Sequence, residues 1–166
     1  MKKLIPVILV IVLILSVAPA CLAANTDTLA DWNIRIVVPD GKTAVLKGTE
    51  YYIYEQNEGS IPYVMLTPYG KYDSGEKFLS DFTEYMMKQH EDLTVVTDPV
   101  QRTIGDKDCW ETAYKYDVSG NEVVDRRIVT IRNNAAYLFT SKECKELNMM
   151  VDNMLEEVIT NAEFIP

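Results

Sequence analysis

The chain is short of histidine, of cysteine and of positive charge. It has one histidine and three cysteines in 166 residues, and 16 basic side chains against 25 acidic ones. Each scarcity excludes something. A formal charge of −9 leaves no basic patch to displace counterions from a phosphate backbone, which excludes nucleic-acid binding of that kind. Three cysteines do not make a disulfide-knotted miniprotein. No Cys/His spacing suits a zinc site, and no glycine-rich loop cradles a phosphate. No G-x-S-x-G elbow presents a nucleophile. Asp117–Glu122 is too short for an EF-hand loop and reads as a hairpin turn. Asp106 and Asp108 read as a polar turn rather than a weak calcium grip. These residues imply no metal, no cofactor and no catalytic set.

Long apolar runs are scarce as well, which excludes a multi-span membrane protein. The one such run is N-terminal. Lys2 and Lys3 precede an apolar stretch from Leu4 to Val17, interrupted by Pro6 and Ser16, and the small residues Ala18, Ala20, Ala23 and Ala24 follow. This is the layout of a bacterial-type secretory signal. Three fates are open. Cleavage near Ala23 or Ala24 releases a soluble protein. Lipidation of Cys21 tethers it; Ala20 suits that, whereas Ala18 and Pro19 depart from the usual lipobox. Leu4–Ala24 also has about the 20 residues that span a bilayer, so an uncleaved anchor is the third. Each fate puts the rest of the chain outside the cytoplasm, touching membrane only through this segment or a lipid on Cys21. Without Lys2 and Lys3 the formal charge falls from −9 to −11.

The remainder reads as a polar leader, 25–31, and a single α+β domain, 32–166. Strands are expected at Asn33–Val38, Ala44–Lys47, Tyr51–Gln56 and Ile61–Pro68, where Pro62 marks an edge or a strand start. Ser74 caps a helix over 75–90. Its apolar stripe is Phe78, Leu79, Phe82, Tyr85 and Met86. Leu93–Val96 and a short arm at Val100–Ile104 follow. A three-strand meander comes next, Cys109–Val118, Glu122–Arg132 and Ala135–Ser141. Its second turn is Asn133–Asn134, a residue type that tolerates positive φ. A closing helix spans Cys144–Asn161, with Leu147, Val151, Met154, Leu155 and Val158 on one face.

Alternation puts Trp110, Thr112 and Tyr114 on one side of the first meander strand and Cys109, Glu111, Ala113 and Lys115 on the other. Both sides of the meander carry large apolar groups, so both need cover. Two helices are available, which predicts a three-layer αβα sandwich with a mostly antiparallel sheet. Cys109 and Cys144 then lie at opposite ends of the sheet, about 20 Å apart by strand rise. That is too far for a disulfide, whose Cα atoms need to approach within about 7 Å.

The run IRIVVPDG, the turn and strand TIGDKDCWETAYKY, the strand AAYLFTS and the closing Phe164 together resemble the PsbP-like or Mog1-like superfamily, in its bacterial extracytoplasmic DcrB-type branch. The resemblance covers Trp32–Pro166. It implies an antiparallel sheet between helices and no common reaction, because members mostly bind or assemble other proteins. The plant members' metal-binding histidines have no counterpart here.

Ten tyrosines are present. Tyr52, Tyr54, Tyr63 and Tyr69 are the candidate binding residues, because tyrosine offers a rigid apolar face with a polar tip; strand propensity and core filling are the alternative use. His90 falls at a helix C-terminus, where a cation is favoured. The expected function is an extracytoplasmic binding or assembly module whose partner is a protein or envelope component. The alternatives are a carboxylate-dependent hydrolase, which requires paired carboxylates with raised pKa in one cleft, and a structural envelope protein.

Overall fold

Residues 25–55, 57–59, 61–144 and 152–166 are described by a computed structural model. The signal segment with Cys21 lies outside the described residues. So do Leu147 and Val151 of the expected closing helix.

The strands are β1 (Asn25–Leu29), β2 (Ile34–Val38), β3 (Thr43–Lys47), β4 (Glu50–Tyr54), β5 (Tyr63–Gly70), β6 (Thr94–Ile104), β7 (Lys107–Val118), β8 (Asn121–Arg132), β9 (Ala135–Cys144) and β10 (Glu163–Phe164). Helix α1 spans Gly75–Gln89 and α2 spans Asp152–Asn161. A seven-stranded sheet has the order β3-β4-β5-β9-β8-β7-β6, and a small sheet has the order β1-β2-β10. Every pairing is antiparallel. The chain is therefore α+β.

Local chemistry accounts for most boundaries. Ser74 adopts an extended backbone and accepts a hydrogen bond from the Lys77 N–H, which satisfies one of the orphan donors that start α1. The helix ends at His90. Asn133 and Asn134 have φ of 51° and 59°, the left-handed pair that closes a two-residue hairpin between β8 and β9. Pro62 lies just before β5, where no ladder hydrogen bond is lost.

The meander separates side chains as alternation requires. Trp110, Tyr114, Val129, Ala136 and Leu138 face α1 and pack with Phe78, Leu79, Phe82 and Met86. Cys109, Ile128, Tyr137 and Phe139 face the other way, onto Leu155, Val158 and Ile159 of α2 and Ile34, Ile36 and Val38 of β2. Each large apolar side chain so buried contributes about 1.5–3 kcal/mol. Helix α1 begins in close contact with the sheet. A Cβ on Gly75 would stand 2.7 Å from the Trp110 ring, so its lack of side chain lets the helix reach this surface.

Four expectations change. The polar stretch 25–31 is β1 and a 3₁₀ turn rather than a leader, because β1 pairs with β2 along its whole length and Leu29 reaches the core. Leu93–Val96 and the arm at Val100–Ile104 belong to one continuous strand, β6, which absorbs its irregular pattern through two register shifts. Strand β9 runs on through Cys144, held by pairing to Val123, so that residue ends a strand rather than opening a helix. The second face of the large sheet is covered by the small sheet as well as by a helix. Cys109 and Cys144 are both buried and are not joined. Burial pushes the Cys109 thiol up to about 11.

Candidate functional site

Helix α1 lies over β6, β7 and β8. The same face of the sheet continues past the helix onto β9, β5, β4 and β3. Register puts two rows of side chains there. One runs Val45–Tyr52–Met65–Thr140–Arg127 across β3, β4, β5, β9 and β8. The next runs Thr43–Tyr54–Tyr63–Lys142–Asp125. Residues as far apart in sequence as Thr43 and Lys142 share a row because each strand contributes every second side chain to this face.

Three of the four expected tyrosines converge. The Tyr52 and Tyr54 rings stack at 5.6 Å, and Tyr63 stands edge-on to both, at 5.2 and 6.0 Å. The Lys47 ammonium lies 5.7 Å from the Tyr52 ring centre and 5.4 Å from that of Tyr54. Tyr52 and Tyr63 are half-buried, whereas Tyr54 is buried and supports the other two. Tyr69 shares the face but sits apart, against Phe78 and Phe82 beneath α1. Tyr51 points to the opposite side, where its hydroxyl donates to Asp27.

Beside the tyrosines lies a charged floor that sequence reasoning missed. Asp125 is fully buried and accepts from Nε and Nη2 of Arg127, both at 2.8 Å, and from the Tyr116 hydroxyl at 2.9 Å. The Arg127 guanidinium lies 4.3 Å from the Phe82 ring centre. Lys142 stands 3.8 Å from Asp125, and burial lowers its pKa despite that carboxylate. Burial, then the neighbouring Tyr52 and Asp125, raises the Tyr63 hydroxyl far above its ordinary value; burial and a 2.6 Å hydrogen bond to Glu50 do the same for Tyr52. The buried hydroxyls of Thr67 and Thr140, on the same face, have no hydrogen-bond partner. The readable signal was the acid-base run Asp125–Arg127 inside an otherwise apolar strand.

Other candidates fall elsewhere. The His90 ring stacks on Tyr116 at 4.2 Å at the end of α1. Asp106 is exposed and pairs with Lys107, whose amine also donates to the Thr160 carbonyl at the C-terminal turn of α2. An open cleft of about 730 Å³ lies there, lined by Gly105, Lys107, Arg132 and Phe164. Among the described residues no cluster of His, Cys, Asp and Glu is placed to hold a metal ion, and no helix is long and apolar enough to cross a membrane. The resolved carboxylate shifts, at Asp106, Glu111 and Glu156, are all downward, the reverse of what a protonated acid catalyst needs.

No family model matches the chain, and no curated protein matches it significantly. Solved structures do. A cyanobacterial PsbP, CyanoP from Synechocystis sp. PCC 6803, is similar at a TM-score of 0.62 and 11% identity over 84% of this chain and 91% of its own. LpqN of Mycobacterium tuberculosis, involved in cell envelope biogenesis, is similar at a TM-score of 0.52 and 15% identity over 86% and 90%. A Bacteroides thetaiotaomicron protein is similar at 0.54 and 16% identity, where this chain spans 46% of the other's length. No catalytic family is named among these three. At such identities the likeness concerns the backbone alone, and over most of both chains it shows that this chain has the PsbP/Mog1-like fold.

Proposed function

We propose that this chain is an extracytoplasmic binding or assembly module, acting through a protein surface and without catalysis. The domain begins at residue 25 with β1, and its large sheet lies between α1 on one face and α2 with the small sheet on the other. Its partner, another protein or an envelope component, docks on the sheet face beyond α1. Tyr52 and Tyr63 make the contact, Tyr54 supports them from below, and Tyr69 marks the edge nearest the helix. The observation that carries this reading is the mutual packing of three tyrosine rings on a stretch of sheet beside the helix. Rings already in contact lose little freedom on binding, which is why tyrosine dominates recognition surfaces. The involvement of LpqN in cell envelope biogenesis supports the location, as does the lysine-led apolar segment at residues 1–24.

The test is affinity capture from an envelope fraction with the full chain and with the double variant Tyr52→Ala, Tyr63→Ala. Loss of about tenfold or more in captured partner, with an unchanged circular dichroism spectrum, supports the proposal. Equal capture by the two refutes it. Intact mass separates the fates of the N-terminus, since a diacylglyceryl increment on a chain starting at Cys21 identifies a lipoprotein.

A further inference from the structure

Among the described residues the two sheets have four edge strands, and three are guarded. Strand β6 is broken by two register shifts and contains Pro99. Strand β1 carries Asp27 at its centre. Strand β10 is two residues long. Bulges, prolines, charges and shortness are the usual devices that keep an edge from pairing. Strand β3 has no bulge, no proline and no charge in its interior. It reads Thr43-Ala44-Val45-Leu46-Lys47, pairs with β4 without a bulge, and leaves Leu46 51% exposed. Its one charge is terminal and lies 3.1 Å from Glu58.

The β3–β4 hairpin fixes which backbone groups look outward. Lys47 pairs with Glu50 across the two-residue turn Gly48–Thr49, so residues 47, 45 and 43 direct their hydrogen bonds inward to β4. Ala44 and Leu46 therefore present N–H and C=O to solvent. We infer that the occupant of this edge is β3 of a second copy, antiparallel about a two-fold axis at Val45. In that register Ala44 faces Leu46 of the other copy and exchanges both hydrogen bonds with it. Val45 faces Val45 in a close, non-hydrogen-bonded pair. Lys47 faces Thr43, so no two lysines are opposed. The exposed Leu46 gains an apolar neighbour, and the self-complementary pattern is what a two-fold interface demands. Both tyrosine faces end up on one continuous sheet. Five paired residues cover less than the about 1,200–2,000 Å² of a stable interface, so the pairing is reversible and follows concentration.

Disulfide trapping tests this in the full chain, expressed in a bacterial envelope and oxidised with copper–phenanthroline. Val45→Cys brings two thiols together at the axis, where Cα atoms of a non-hydrogen-bonded pair stand about 4.5 Å apart. Lys47→Cys, on the same face of the same strand, separates them by about four residues of rise, beyond disulfide reach. The expected result is a reducible dimer from Val45→Cys at least about tenfold more abundant than from Lys47→Cys. Equal bands, or no band from Val45→Cys, overturn the proposal. The unmodified chain supplies a second readout that needs no variant. Mixed ¹⁴N- and ¹⁵N-labelled copies treated with a short amine cross-linker give an isotopically mixed Lys42–Lys47 link if the register holds, and only unmixed links if it does not.

Discussion

Arg126 and Arg127 are neighbours in the chain and stand on opposite faces of one sheet, and they solve the problem of a charge in a strand differently. Arg127 faces α1 and is closed in, its side chain 6% exposed against a fully buried Asp125 two residues away on the same strand. Arg126 faces α2. It donates to Glu111 at 2.6 Å and to Glu156 of α2 at 2.9 Å, and Arg102 joins the same two carboxylates from β6. Glu156 and Arg102 reach solvent, with side chains 44% and 37% exposed. The first arrangement is local and dry. The second is distributed and half wet, and it clasps a helix to the sheet. A dry pair depends on each member, whereas a wet network can replace a lost partner with water.

The largest effect should come from breaking the dry pair. Asp125→Ala strands Arg127 and removes the acceptor of Tyr116. It should cost about 3–5 kcal/mol, seen as a lower urea midpoint at unchanged slope. Arg126→Ala leaves Glu111 with Arg102 and water, and should cost about 2 kcal/mol in the same titration. A result in which Arg126→Ala is the more damaging would reverse the comparison.

The third expectation concerns pH. Burial alone would raise the Glu111 carboxyl, but hydrogen bonds and charge from Arg126 and Arg102 outweigh it and hold the group below its ordinary value. A carboxyl lowered in the folded state contributes stability that is complete above its unfolded pKa and is lost as pH falls through the folded one. Acidification below about pH 4.5 should therefore weaken the protein. Glu111→Gln should flatten that part of the stability–pH curve, measured by urea unfolding at successive pH values. The smallest stability effect belongs to Glu156→Gln, less than about 1 kcal/mol, because a half-exposed partner is already screened by solvent.

The tyrosines carry the same lesson about what is readable. Alternation within β4 was enough to put Tyr52 and Tyr54 together and Tyr51 opposite. Tyr63 joins them because β5 returns alongside β4 with Tyr54 facing Tyr63, a register that the buried opposite side selects. Tyr69 lies on the same side of the same strand, yet it serves α1, because the helix crosses the sheet at that end. Lys142 escaped notice since β9 continues past the apolar AAYLFTS run, held by its neighbours rather than by its own propensity.

By itself the sequence determined the acid surface, the helix capped at Ser74, the meander with its asparagine turn, and the need to cover both sides of the sheet. These follow from interactions between residues close in the chain, where periodicity and turn chemistry act directly. The tertiary structure decided the pairing of β1 with β2, the dry pair beneath α1, the clasp on α2 and the unguarded edge at β3. Each depends on which strand lies beside which, and hydrogen-bonded backbones carry that information only after the strands have met.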